Sequence, residues 1–135
     1  MNIKIKKEEL TKIAEKYGLN LLVLFGSQAT GKTHPKSDVD IGYTANGQLE
    51  LNTRFEIEKD ISRVLGRDDI ELVDLQRISS LMKKIVADEG VLLYEREPGM
   101  FELFCIYAFK LYVETKPLRE LRYQSLKNFI YGTSR

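Results

Sequence analysis

Residues 21–44 read LLVLFGSQATGKTHPKSDVDIGYT, and the fold is decided there. The apolar run Leu21 to Phe25 predicts a short buried strand that stops at Gly26-Ser27, where a residue without a Cβ lets the backbone come close to a ligand or to another segment. A loop of Gly, Thr, Pro and Lys follows, and then Asp38-Val39-Asp40-Ile41 opens a second strand. Side chains alternate along a strand, so Asp38 and Asp40 leave one face while Val39 and Ile41 enter a core. Two neighbouring carboxylates repel one another, and a divalent cation between them removes the conflict. Hard oxygen donors are what Mg²⁺ prefers. The Gly26-Ser27 turn adds backbone N–H groups and a hydroxyl for an anion held by the same metal, and phosphate is the natural anion.

Composition narrows the classes available to such a site. With 135 residues the chain makes one domain, or one domain with a helical appendage. Hydrophobic residues at 43% and charged residues at 30% are those of a globular protein. A net charge of +1 gives no overall pull toward nucleic acid or membrane. A single cysteine, Cys105, forms no internal disulfide, which fits a reducing compartment and a cytoplasmic location. The N-terminal MNIKIKKEEL lacks the apolar segment of a signal peptide. His34 is the only histidine, so a histidine-rich metal site and a Ser-His-Asp triad have little to work with. It reads as a loop residue, as do Lys32 and Lys36.

Around the central stretch, helical spacing of Leu10, Ile13, Ala14 and Tyr17 predicts an amphipathic helix over 7–17 ended by Gly18. A short helix is expected near Ser27, its N-terminal dipole toward bound phosphate. Leu51, Phe55, Ile61 and Leu65 predict a second packing helix over 49–65, stopped by Gly66. Residues 69–75, DIELVDL, read as a strand in which Glu71 and Asp74 have opposite parity. A helix over 77–89, capped by Ser79 or Ser80, and a last strand over 91–95 complete the α/β pattern. The composition changes after Pro98-Gly99. Eight of the 13 aromatic residues lie from Phe101 onward, and FELFCIYAFKLYV is apolar nearly all round. Such a helix needs a partner on its second face. Lys116-Pro117 is expected to break it, leaving a second helix over 118–131. Five basic residues and one acid follow from Lys116 to the end; aromatics at core spacing favour a protein interface over an RNA platform.

Gly26-Ser27, ten intervening residues and Asp38-Val39-Asp40 together resemble the signature of the DNA polymerase β nucleotidyltransferase superfamily, most closely its minimal members, the MNT domains. The resemblance implies a nucleotidyltransferase fold, a short mixed sheet flanked by helices, with two C-terminal helices added. It implies an MNT domain over 1–97 and an extension over 98–135 that serves as a partner or dimer interface. It also implies a third acid from a neighbouring strand, for which Glu71 is chosen over Asp74. Asp38, Asp40 and Glu71 would then be the catalytic and metal-binding residues for two Mg²⁺ ions, and Gly26 and Ser27 would bind the nucleotide. Relatives often carry an arginine where this chain has Thr30.

The tail, with Phe101-Glu102 and Lys116-Pro117-Leu118, is similar to that of MNT proteins paired with HEPN toxins. For those the implied reaction is transfer of AMP from ATP to a tyrosine of the cognate HEPN ribonuclease, which neutralises the toxin. Two alternatives stay open: a small-molecule nucleotidyltransferase of the aminoglycoside-modifying kind, and an antitoxin that acts by steric binding with a vestigial site. The chain is too small for the template-gripping domains of a polymerase, so nucleic acid is not expected as acceptor.

Overall fold

The computed structural model describes residues 3–26, 29 and 38–132. Their elements are α1 (Ile3–Tyr17), β1 (Leu19–Phe25), β2 (Val39–Ala45), α2 (Leu51–Leu65), β3 (Ile70–Asp74), α3 (Ser80–Glu89), β4 (Val91–Glu95) and α4 (Met100–Tyr131). The strands form one mixed sheet in the order β3-β2-β1-β4. β1 is antiparallel to both β2 and β4, whereas β2 and β3 run parallel. A parallel pair cannot be closed by a tight turn, and α2 supplies the crossover.

Alternation along β1 explains the layering. Leu22 and Leu24 point into a core shared with Leu10, Ile13 and Ala14 of α1 and Ile57 and Ile61 of α2. Val23 and Phe25 point the other way, into a smaller cluster with Val86 of α3, against which Phe101 and Phe104 of α4 pack. Burial of each large aliphatic side chain contributes about 1.5–3 kcal/mol, so the two clusters hold the sheet between two helical layers. Within β2, Val39 and Ile41 are fully buried, as the alternation requires. Gly42 lies on the opposite face from them, and a Cβ there would stand 2.3 Å from Leu75 Cδ2. Its bare backbone is what lets Leu75 seal the second cluster.

The helix ends follow local chemistry. Ser79 Oγ accepts from the Met82 N–H at 3.1 Å, capping α3. Gly66 closes α2 in the left-handed conformation. Tyr17 O–H donates to Asp60 Oδ2 at 2.7 Å and ties α1 to α2. Among the described residues, no helix is long and apolar enough to cross a membrane.

The tail departs from expectation. Instead of two helices broken at Lys116-Pro117, α4 runs unbroken through Pro117 to Tyr131. Proline removes the bond its N–H would make to the Val113 carbonyl. Side chains brace the turn beside the defect: Arg119 Nη2 donates to the Tyr112 carbonyl at 2.9 Å and Nη1 to Thr115 Oγ1 at 2.6 Å. Thr115 Oγ1 in turn donates to the Leu111 carbonyl at 2.7 Å, and the guanidinium lies 4.0 Å from the Tyr112 ring centroid. Pro117 itself is exposed, so water can reach the carbonyl it leaves unpaired.

Candidate active site

β1 delivers Gly26 to one end of the sheet, where the backbone turns with φ +79°. The Gly26 carbonyl accepts from the Ala29 N–H at 3.1 Å, closing the turn. Antiparallel pairing sets Phe25 opposite Asp40, so the Asp40 side chain reaches back over the turn. A Cβ on Gly26 would stand 2.4 Å from Asp40 Oδ2. Glycine is required twice over: for the left-handed φ, and for the space the carboxylate occupies.

Parallel pairing of β2 with β3 places Glu71 directly opposite Asp40. Asp38 sits just before β2 and is exposed, as is Glu71, whereas Asp40 is half-buried between them. Burial, the Glu71 charge, a hydrogen bond to Glu71 and the Asp38 charge push the Asp40 carboxyl up to about 6. Three acids on two strands thus share one corner of the sheet. Asp74 does not join them. It pairs with Tyr43 at the far end of β3, is buried, accepts from the Gln76 N–H at 2.9 Å and lies 3.5 Å from Arg77. The expected opposite parity of Glu71 and Asp74 is therefore realised, and it is Glu71 that lies beside Asp40.

Ser27, expected to bind nucleotide, lies outside the described residues, as do Thr30, Lys32, His34 and Lys36. The structure adds a residue that periodicity did not single out. Arg67, just past the end of α2, is held by Asp69 through Nε–Oδ1 at 2.8 Å and Nη2–Oδ2 at 2.5 Å. The hydrogen bond to Asp69 raises its pKa, as do the charges of Asp69 and, more weakly, Asp38, which puts this cation near the acidic corner. Its only sequence signal was position, between a helix-ending glycine and a strand carrying a candidate acid.

Among the described residues, no three His, Cys, Asp or Glu side chains close into a preformed metal cluster. The donor chemistry nonetheless fits a hard divalent cation: carboxylate oxygens from three residues, and in Asp40 an acid whose proton affinity is raised by burial and by the negative charge around it. A cation placed there would relieve the repulsion among these carboxylates.

Residues 8–99 match the family model described as polymerase beta, nucleotidyltransferase. The protein adenylyltransferase MntA of Aphanizomenon flos-aquae is 30% identical over 122 residues, covering 83% of this chain and 81% of that protein. In three dimensions the chain is similar to a protein from a crystal structure of a toxin–antitoxin with AMP-PNP, with a TM-score of 0.76 and 26% identity over 90% of this chain and 98% of that one. A second solved structure, of a tri-AMPylated Shewanella oneidensis HEPN toxin in complex with its MNT antitoxin, matches with a TM-score of 0.73 at 23% identity, over 93% of this chain and 99% of that one.

Proposed function

The chain belongs to the polymerase β nucleotidyltransferase family and, within it, is an MntA-like protein; on that premise we propose that it transfers AMP from ATP to a tyrosine of a cognate HEPN ribonuclease toxin. It is an antitoxin that acts by chemical modification of its partner. The observation that carries this reading is the seating of the Asp40 carboxylate against the Gly26 turn, with Glu71 paired opposite and Asp38 beside them.

The acceptor tyrosine oxygen attacks the α-phosphorus of ATP, the bond from that phosphorus to the bridging oxygen breaks, and pyrophosphate departs. Gly26 and Ser27 hold the triphosphate through backbone N–H groups and a hydroxyl. Asp38, Asp40 and Glu71 would hold Mg²⁺, which would supply charge neutralisation for the triphosphate and a lowered pKa for the acceptor hydroxyl. The phenolic proton leaves to water, which reaches the site past the exposed Asp38 and Glu71. Arg67, anchored by Asp69, limits the net negative charge at the rim where an anionic nucleotide must enter. Catalysis by this arrangement is mainly positioning and charge stabilisation. The attached AMP adds negative charge and bulk to the toxin, which disfavours RNA at its cleavage site.

The experiment uses ATP labelled at the α- or the γ-phosphorus, with purified toxin and Mg²⁺. Label on toxin tyrosine from the α position alone is the expected result. Label from the γ position would mean a kinase, and toxin inhibition without any label would mean steric binding.

A further inference from the structure

The strand that carries Glu71 is an edge strand. β3 is five residues long and stands at one side of the described sheet, paired with β2 alone. Along such an edge every second residue turns its N–H and C=O away from the sheet. In β3 the outward residue beside Glu71 is Leu72, and side chains of α2 take both of its groups. The Leu72 N–H donates to Glu58 Oε1 at 3.1 Å, and Arg54 Nη2 donates to the Leu72 carbonyl at 3.1 Å. Arg54 and Glu58 lie one turn apart on the helix, so the two together stand where another strand would pair.

The position of this clasp ties it to the acidic corner. At the start of the strand the Val39 N–H donates to the Asp69 carbonyl at 3.0 Å, which fastens β3 to the residue between Asp38 and Asp40. The clasp fastens it again at Leu72, and Glu71 lies between the two holds. Side-chain packing adds little there: the Leu72 side chain is in the main core, but Ile70 and Val73 are half-buried and Glu71 is exposed. A slip of one residue would turn Glu71 to the other face of the sheet, away from the Asp40 it opposes. The clasp is also kept at some expense of stability, because Arg54 Nε is buried without a hydrogen-bond partner. An aliphatic side chain would avoid that penalty but could not hold the Leu72 carbonyl. We propose that Arg54 and Glu58 are positioning residues for the reaction: by gripping the outward peptide groups of Leu72 they hold β3 in the place and register that keep the Glu71 carboxylate beside Asp40. They act through the backbone of the strand. The inference rests on the proposed function for the role of Glu71. A clasp that only shielded the sheet edge would make the same two bonds, and the chemistry at Glu71 would then not depend on them.

A double-mutant cycle on the full-length protein, with purified cognate HEPN toxin, ATP and Mg²⁺, separates these cases. Glu58→Met keeps the length of the side chain and removes the acceptor, whereas Glu58→Gln keeps an acceptor oxygen. E58M should lower kcat about tenfold, leave the KM for toxin within about twofold, and weaken Mg²⁺-dependent AMP-PNP binding several-fold, as loss of a residue that orients a metal-binding group does. R54M should act in the same direction, and E58Q should stay within about twofold of wild type in every readout. Added to E71Q, E58M should cost less than about a further twofold, because the group it positions is already altered. Equal losses from E58M with and without the Glu71 carboxylate would overturn the proposal, as would wild-type kcat and AMP-PNP affinity in E58M, or an E58Q as impaired as E58M. Should E58M fail to fold, R54M, which leaves the bond to the Leu72 N–H in place, carries the same cycle. A wild type that transfers no AMP would defeat the proposed function instead, and the Mg²⁺-dependent AMP-PNP affinities of the same proteins would still decide for or against the clasp.

Discussion

The acidic corner and the overhang of α4, residues 116–131, which run on past the start of α3, are opposites in construction. At the corner every feature depends on residues distant in sequence: Gly26 is shaped by Asp40, and Asp40 is opposed by Glu71 from a parallel strand reached only through α2. The overhang depends on nothing but its own helix, with Arg119 bracing the turn beside Pro117. The corner is held by sheet register and buried clusters, so small substitutions there should act through geometry and charge. The overhang is held by local contacts and should respond to composition, with effects confined to its own helix.

The largest expected effect lies at the corner. D38A/D40A should reduce AMP transfer at least a thousandfold, since the charges that organise the triphosphate are lost, on the order of the cost of removing preorganised electrostatic groups. Incorporation of α-label into toxin measures it, and the same variant should bind toxin with unchanged affinity. Survival of full protection from the toxin would mean that the chemistry of the corner is not what silences it.

Gly26→Ala is the next step down. The added Cβ must displace the Asp40 carboxylate and accept a left-handed φ, so transfer should fall about a hundredfold and stability by about 1–2 kcal/mol. A urea melt and a single-turnover assay check the two halves separately. An active, fully stable G26A would mean that the close approach of turn and carboxylate is not needed.

Asp40→Asn tests the charge conflict itself. The folded-state pKa of Asp40 is raised from 3.8 to about 6, so ionising the group costs the folded protein stability as pH rises through that interval. D40N should therefore be more stable than wild type above pH 6 and equal to it near pH 4. Because the carboxyl is largely solvent-screened, the gain should be about 1 kcal/mol rather than the full value of the shift. Denaturant melts of the metal-free proteins at pH 4.0 and 7.5 would reveal it. A D40N less stable than wild type at pH 7.5 would mean that the carboxylate is structurally satisfied.

The smallest effect belongs to the overhang. R119A should lower amide-exchange protection in residues 116–131 several-fold, while protection in β1 and β2 stays unchanged. A global loss of protection would mean that the overhang and the body are one cooperative unit.

Much of this was legible in residue order. Val39 and Ile41 entering the core, Gly66 and Ser79 ending and capping helices, and Glu71 parting from Asp74 all follow from periods of 2 and 3.6 and from short side chains. Helix starts were less legible. α1 begins at Ile3 rather than residue 7, and α3 at Ser80 rather than residue 77. First turns need no apolar face and leave little pattern. The continuity of α4 was hidden because a proline rule sees the missing N–H but not the arginine two residues on, whose side chain braces the neighbouring Tyr112 carbonyl. The contact between Gly26 and Asp40 was foreshadowed only as a need for space, because the register that creates it is a tertiary fact. Arg67 was missed for the same reason: nothing in its neighbourhood announces that Asp38 will stand near it.

The most direct test is the intact mass of the cognate HEPN toxin after incubation with this protein, ATP and Mg²⁺, read beside the same incubation with D38A/D40A. The toxin should gain whole AMP increments on tyrosine with the wild type and none with the variant, and should lose its ribonuclease activity in step. An unmodified toxin that is nevertheless silenced by both proteins would contradict the account.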